Sequence, residues 1–316
     1  MELREAAAVL RDGGTVAFPT ETVYGLGANA LDAEAVARVF EIKGRPSFDP
    51  LIVHVASIDQ ARQVVLEWPE QARLLAERLW PGPLTLVLPK AASIPDIVTA
   101  GLPTVAVRMP AHPVALELIA EAGIPVAAPS ANRFGGISPT TADHVRAQLG
   151  ASVDEIIDGG PCRVGLESTV LALAAGGPLL LRAGGTTTEE IEDVIGPVVR
   201  PGADPRRPVS PGQTARHYAP RTPLTLVEDW RDGPDAPRLA LLVLRPPESR
   251  ERFEAIEVLS PGGDLREAAA NLFAALHRLD ALGLDRIVAV RVPDQGLGVA
   301  INDRLRRAAH EEGTEP

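Results

Sequence analysis

Short apolar runs of strand type alternate with stretches of helical periodicity over residues 1–200. "TVAFPT" (15–20), "LIVHVAS" (51–57), "LTLVLP", "TVAVRMP" and "IPVAAPS" read as strands, as do "DEIIDGG", "STVLALA" and "PLLLRAGG". Helical spacing appears in "AEAVARVFEI", "EQARLLAERLW", "PVALELIAEAG", "ADHVRAQLG" and "TTEEIEDVIG". Asp32 is placed to cap the first of these helices, and Gly123 and Gly150 to end the third and fourth. The opening "MELREAAAVLRDGG" mixes acids with bases and reads as an amphipathic helix, not as a signal peptide. Strands interleaved with helices predict an α/β domain around a mixed sheet.

From 197 to 220 the chain carries six prolines and loses all periodicity, so no regular element can run through it. Beyond it "LTLVE", "LALLVL", "IEVLS" and "RIVAVRV" alternate with helical stretches at 263–281 and 299–310. The predicted division is a domain at 1–200, a proline-rich linker at 201–221 and a smaller α/β domain at 222–316.

Composition narrows the class. Hydrophobic residues make up 45% and charged residues 23%, ordinary for a soluble globular chain, and the longest apolar runs are strand-sized, far below a membrane span. The single cysteine, Cys162, can form no internal disulfide, so a cytoplasmic location is the default expectation. A net charge of −11 argues against a surface built to grip nucleic acid. Against this background one residue stands out. The chain has two lysines, Lys43 and Lys90, and uses arginine for every other basic side chain. Lys43 opens "KGRPSFDP" (43–50), two residues before Arg45 in a loop stiffened by two prolines.

The familiar site motifs are missing from the sequence: no Walker A loop, no Cys/His metal spacing, and no nucleophile elbow around the serine of "GLESTV". "GLGVAIN" (296–302) lacks the third glycine of a dinucleotide fingerprint and reads as helix packing. "FPTETVYGLG" (18–27) is either a polar turn or a set of hydroxyls at a strand end, where α/β sites form. "KGR" offers an ammonium and a guanidinium, suited to phosphate groups or to the C-terminal dipole of a helix stopped by Gly44. "PSANRFGGISPT" (129–140) sets Ser130, Asn132 and Ser138 in a turn-rich loop. His54 and the arginines Arg108, Arg163 and Arg182 each allow a structural reading as well as a functional one.

Taken in order, "PTETVYGLG", "KGRP...DPLIVHV", "WPGPLTLVL", "VAVRMP", "APSANRFGGISPT", "GLESTV", "LLRAG" and "SPGQTARHYAP" resemble the L-threonylcarbamoyladenylate synthases in their long, two-domain form. The resemblance implies an N-terminal YrdC-like domain with a twisted mixed sheet and flanking helices, and a C-terminal Rossmann-like α/β domain. It implies an enzyme that makes the carbamoyl adenylate from L-threonine, bicarbonate and ATP, releasing pyrophosphate. Mg2+ would be held mainly by ATP. Separate machinery would transfer the threonylcarbamoyl group to tRNA, with no membrane involved and with direct tRNA binding by this chain disfavoured by its charge. Other readings are a different carbamoyl-adenylate-processing transferase and a module for tRNA or double-stranded RNA.

The resemblance also assigns roles. Thr22 and Tyr24 would border the threonine and carbamate pocket, and would form the catalytic set with Lys43 and Arg45. His54, Thr104, Arg108 and Ser168 would hold threonine, Arg108 by clamping its carboxylate. Lys43, Arg45, Asp49, Ser130, Asn132, Ser138 and Arg182 would bind ATP, with His217 and Tyr218 as lid residues. Two positions depart from the family pattern. Asp49 stands where asparagine is frequent, and a pairing with Arg45 would neutralise it. Gln213 and Thr214 stand where a basic residue is common.

Overall fold

The structure, a computed structural model, describes residues 3–46, 48–174, 176–200 and 217–309. The first unit is built on β1 (Val16–Phe18), β2 (Gly25–Asn29), β3 (Ile52–His54), β4 (Leu84–Pro89), β5 (Thr104–Arg108), β6 (Val126–Ala127), β7 (Glu155–Ile156), β8 (Thr169–Ala174) and β9 (Gly177–Arg182). They form one mixed sheet in the order β7-β1-β2-β6-β3-β5-β4-β8-β9. Its helices are α1 (Leu3–Arg11), α2 (Ala33–Lys43), α3 (Ile58–Val64), α4 (Glu70–Leu79), α5 (Asp96–Thr99), α6 (Pro113–Ala122), α7 (Ala142–Gln148) and α8 (Thr188–Ile195).

Apolar residues sort to both faces of this sheet. Ala6, Leu10, Leu118 and Ile119 of α1 and α6 pack with Phe18 and Val126. Val36, Val39, Leu75 and Ile191 of α2, α4 and α8 join the larger cluster, which also takes in Leu26, Val53, Leu86 and Val107. Asp32 caps α2, accepting from the backbone N–H groups of Glu34 and Ala35, and Gly44 ends it in the left-handed conformation. Both features were legible in the sequence.

One segment departs from expectation. "FPTETVYGLG" is readable as a polar turn or as hydroxyls at a strand end, and its last three residues instead open strand β2 (Gly25–Asn29), antiparallel to β1. A Cβ at Gly27 would lie 2.7 Å from the side chains of Phe18 and Val126. Here glycine makes room for a neighbouring ring in the sheet and does not signal a turn.

The second unit is a parallel sheet of β10 (Leu224–Val227), β11 (Leu239–Val243), β12 (Ala255–Val258) and β13 (Arg286–Val290), in the order β10-β13-β11-β12. It carries α9 (Leu265–Ala281) and α10 (Leu297–Ala308). Gly298, from the "GLG" stretch, sits where a Cβ would fall 1.9 Å from the Pro293 carbonyl oxygen, so it makes room for the turn that leads into α10. Most of the predicted linker, including Gln213 and Thr214, lies outside the described residues.

The two sheets share a core. Val23, Ile137 and Leu166 from the first unit pack with Tyr218 and with Leu272, Phe273 and Ile301 of α9 and α10. Gly165 permits the approach. Its φ is +71°, and a Cβ there would lie 2.5 Å from the backbone of Ala269 and Ala270 in α9. Gly165→Ala is therefore expected to cost about 2 kcal/mol or more, from left-handed strain and overpacking together. Urea unfolding would register this as a lower midpoint, and an unchanged midpoint would mean the units do not depend on this contact.

Candidate functional site

The chain folds so that several strand ends meet. Thr22 follows β1, His54 ends β3, Arg108 ends β5, Ser130 follows β6, Ser168 precedes β8 and Arg182 ends β9. All six line one cavity, with Arg45, Glu167, His217 and Tyr218. Side-by-side pairing of β3 and β5 sets His54 directly against Arg108. The free space is about 50 Å³, room for water but well short of the roughly 300–1,000 Å³ of a small-molecule pocket. His217 and Tyr218 fill part of the volume between the loops.

The positive groups here are buried. Lys43, the last residue of α2, donates from Nζ to the carbonyl oxygens of Ser130 (2.6 Å) and Asn132 (2.5 Å). Burial, and then the charge of Arg45, hold its ammonium well below the usual lysine pKa. Arg45 donates to the carbonyls of Asp49 (3.1 Å) and Pro50 (3.0 Å). Its guanidinium also stands 2.9 Å from Asp49 Oδ1. That contact is one of charge without a directed hydrogen bond, since neither Asp49 oxygen accepts one. Burial accordingly pushes the Asp49 carboxyl up, against the pull of Arg45, Lys43 and Arg182. Asn132 donates to the carbonyls of Arg133 and Gly136, and its Oδ1 is buried without a donor.

On the other side, Arg108 donates to Glu21 (2.6 Å), Thr22 Oγ1 (3.0 Å) and the Gly82 carbonyl (3.2 Å). Three of its five N–H groups are thus engaged by described residues, and a guanidinium has two more for a carboxylate. Burial, and then Arg108, push His54 down to about 3, so its imidazole is neutral. Its Nδ1 sits 3.2 Å from the Ile52 carbonyl. Ser168 shares a hydrogen bond with Thr85 (2.7 Å), and Arg182 donates to the Ser168 carbonyl through Nε and Nη2.

Lys43, Asp49, Asn132 and Ser138 do not themselves line the cavity, and Lys43, Asp49 and Ser138 adjoin it through Ser130, Arg45 and Glu167. Tyr24 and Thr104 are not brought in. Tyr24 is fully buried in the core, where its hydroxyl donates to the Gly160 carbonyl (2.8 Å) and accepts from the Gly159 N–H. It ties the turn after β7 and does not face the cavity. Thr104 starts the strand that Arg108 ends, about 13 Å away at strand rise, and lines a separate small space with Leu51 and Val87. Sequence reasoning missed Glu21 and Glu167. Both lie inside quoted motifs beside assigned residues, and burial of the neighbouring arginines is what calls for them. Arg304, which meets Glu167 from α10, had no sequence signal, because "NDRLRRA" reads as a solvated helix face.

Orphaned polar atoms concentrate at this place. Among the described residues seven buried side-chain nitrogens or oxygens lack a hydrogen bond, and six belong to Asp49, Asn132, His217, Tyr218 and Arg304. Tyr218 also holds a φ of +65°, unusual for a non-glycine residue. Unmet polar groups and backbone strain at one spot mark a site whose partners arrive from outside.

Comparison with known proteins agrees. Residues 8–184 match a family model described as "Telomere recombination", and residues 186–310 match one described as "Threonylcarbamoyl-AMP synthase, C-terminal domain". A threonylcarbamoyl-AMP synthase from Pyrococcus abyssi is 48% identical over 98% of this chain and 94% of its own length. One from Bacillus subtilis is 46% identical over 98% and 93%. A crystal structure of P. abyssi Sua5 complexed with L-threonine superposes with a TM-score of 0.90 at 44% identity, covering 97% of this chain and 94% of that one. The sheet order, the strand-end cavity and these matches along the whole length have one reading: the chain belongs to the threonylcarbamoyl-AMP synthase family.

Proposed function

We propose that this protein makes L-threonylcarbamoyladenylate from L-threonine, bicarbonate and ATP, and that the strand-end cavity is where it does so. The observation that carries this reading is the confluence of a neutral histidine beside an arginine with two donors to spare and a second group of buried cations. The first pair suits an amino acid, and the second suits a triphosphate. A relative of nearly the same fold carries L-threonine in its crystal structure.

In this reading Arg108 takes the threonine carboxylate, with Thr22, His54 and Ser168 around the rest of the molecule. Neutral His54 lets the amine stay unprotonated, as it must be to capture bicarbonate as a carbamate with loss of water. A carbamate oxygen then attacks the α-phosphorus. The bond to the bridging oxygen breaks, and pyrophosphate leaves with the electron pair. Arg45, Arg182 and Lys43 neutralise the charge on the phosphates, and Ser130, Asn132 and Ser138 shape the loop that holds them. No covalent nucleophile is called for. Among the described residues no group of three His, Cys, Asp or Glu side chains is disposed to hold a metal. In this reading Mg2+ comes as the counterion of the triphosphate, neutralising its charge. His217 and Tyr218 occupy space that the substrates need, so they act as a lid that withdraws on entry and closes on the adenylate. A separate machinery transfers the product's threonylcarbamoyl group to tRNA.

The purified protein is expected to release pyrophosphate from ATP only when L-threonine and bicarbonate are both present. Release with another acceptor and none with threonine would overturn the reading. Lys43→Ala is expected to weaken ATP binding by about tenfold to a hundredfold with the fold kept, since it removes a charge and frees the Ser130–Asn132 loop. Calorimetry showing unchanged affinity would remove Lys43 from the phosphate site. Asp49→Asn removes a carboxylate that competes with phosphate for Arg45, so ATP should bind more tightly, by about threefold to tenfold. Weaker binding would mean that Asp49 positions Arg45 more than it competes.

A further inference from the structure

Among the described residues, every buried arginine, lysine and acidic side chain belongs to this one site, and a single member of the set, Arg304, comes from the second unit. Its side chain is fully excluded from water. A lone guanidinium is a costly way to fill an interface that an apolar residue would fill well, so its hydrogen bonds indicate what it is for.

Nε of Arg304 donates to Glu167 Oε2 at 2.8 Å, and Nη1 donates to Asp303 Oδ2 at 3.0 Å. The other oxygen of Glu167 accepts from Ser138 Oγ at 2.6 Å. A chain of charge-assisted contacts thus runs from α10 through Glu167, which lines the cavity, to the end of the Ser130–Ser138 loop. A second tether reaches the same residue from α9, where His277 Nε2 lies 3.1 Å from the Ser138 carbonyl and its ring stacks on His144 at 3.8 Å. Lys43 pins the other end of the loop. The loop is also held within its own unit, where Ala131 and Phe134 donate from the backbone to the Tyr24 and Lys43 carbonyls and Gln148 donates to the Ile137 carbonyl. The second unit adds its contacts at the Ser138 end, from His277 directly and from Arg304 through Glu167. The Arg304 guanidinium also lies 5.1 Å from the Tyr218 ring, so the same side chain meets a residue that fills the cavity.

We infer that Arg304 is a positioning residue for the phosphate loop, and that the second domain sets nucleotide affinity through the Arg304–Glu167–Ser138 chain. This rests on the reading of the cavity as the ATP site. Threonine binding is governed mainly by Arg108 and His54, at the ends of β5 and β3, and Ser168 is the one residue assigned to threonine that adjoins the chain, so threonine affinity depends on it less than ATP affinity does.

The test uses the full-length protein and steady-state pyrophosphate release, with ATP and threonine varied separately, beside thermal unfolding. Arg304→Met should raise KM for ATP by about tenfold while KM for threonine moves less than about twofold. It should also lower the melting temperature, because it strands the Glu167 carboxylate. Arg304→Met with Glu167→Gln removes both charges. Stability should return in that variant, and the raised KM for ATP should remain. Ser138→Ala cuts the chain at its far end with the ion pair intact, and should raise KM for ATP without unfolding the protein. Recovery of stability and of KM together in the double variant would make the pair purely structural and overturn the inference. So would an unchanged KM for ATP in Ser138→Ala. A wild-type protein that releases no threonine-dependent pyrophosphate would instead overturn the assignment of the site.

Discussion

Taking an ammonium or guanidinium out of water costs several kcal/mol unless its charge and hydrogen bonds are met, and this fold does so repeatedly in one place. Lys43, Arg45, Arg108, Arg182 and Arg304 are all buried, against the carboxylates Glu21, Asp49 and Glu167 among the described residues. Much of the architecture answers that constraint. The strands end together so that backbone carbonyls can receive the donors: Ser130 and Asn132 for Lys43, Asp49 and Pro50 for Arg45, Gly82 for Arg108, and Ser168 for Arg182. Carbonyl dipoles orient these cations without cancelling their charge, and the site stays positive for an anion.

The same constraint explains how the two sheets are joined. Gly165 lets a loop of the first unit lie against α9, and Tyr218 packs on Phe273 across the boundary. Glu167 projects from that loop to face Arg304 on one side and Ser138 on the other. The interface is apolar in bulk and polar at the cavity. His217 and Tyr218, from the proline-rich stretch between the units, both line the cavity.

How far the sequence led depends on what each residue type signals. Helix α2 was readable in full, because Asp32 and Gly44 act locally and the periodicity between them is regular. Strand β2 was not, because Gly27 follows from a ring on the neighbouring strand. The lysine at position 43 stood out by composition, and the loop it meets stood out by its turn residues. That they meet through backbone carbonyls could not be read from side-chain identities. Tyr24 shares a motif with Thr22 but faces the core, since the chain bends through 21–23 and strand alternation does not carry from one to the other. Thr104 failed for a related reason, lying at the opposite end of the strand that carries Arg108. Arg304 was invisible because burial of a charged residue on an amphipathic helix is decided by the partner domain.

The account turns on the claim that this buried positive cluster is the phosphate site. A crystal structure of the full chain with ATP and L-threonine tests it most directly. The account predicts the triphosphate within about 3 Å of Lys43 Nζ and the Arg45 guanidinium, threonine on Arg108, and Tyr218 displaced from its present place. A triphosphate bound elsewhere, for example at the strand ends of the second sheet, with Lys43 still bonded to Ser130 and Asn132 and Tyr218 unmoved, would contradict it.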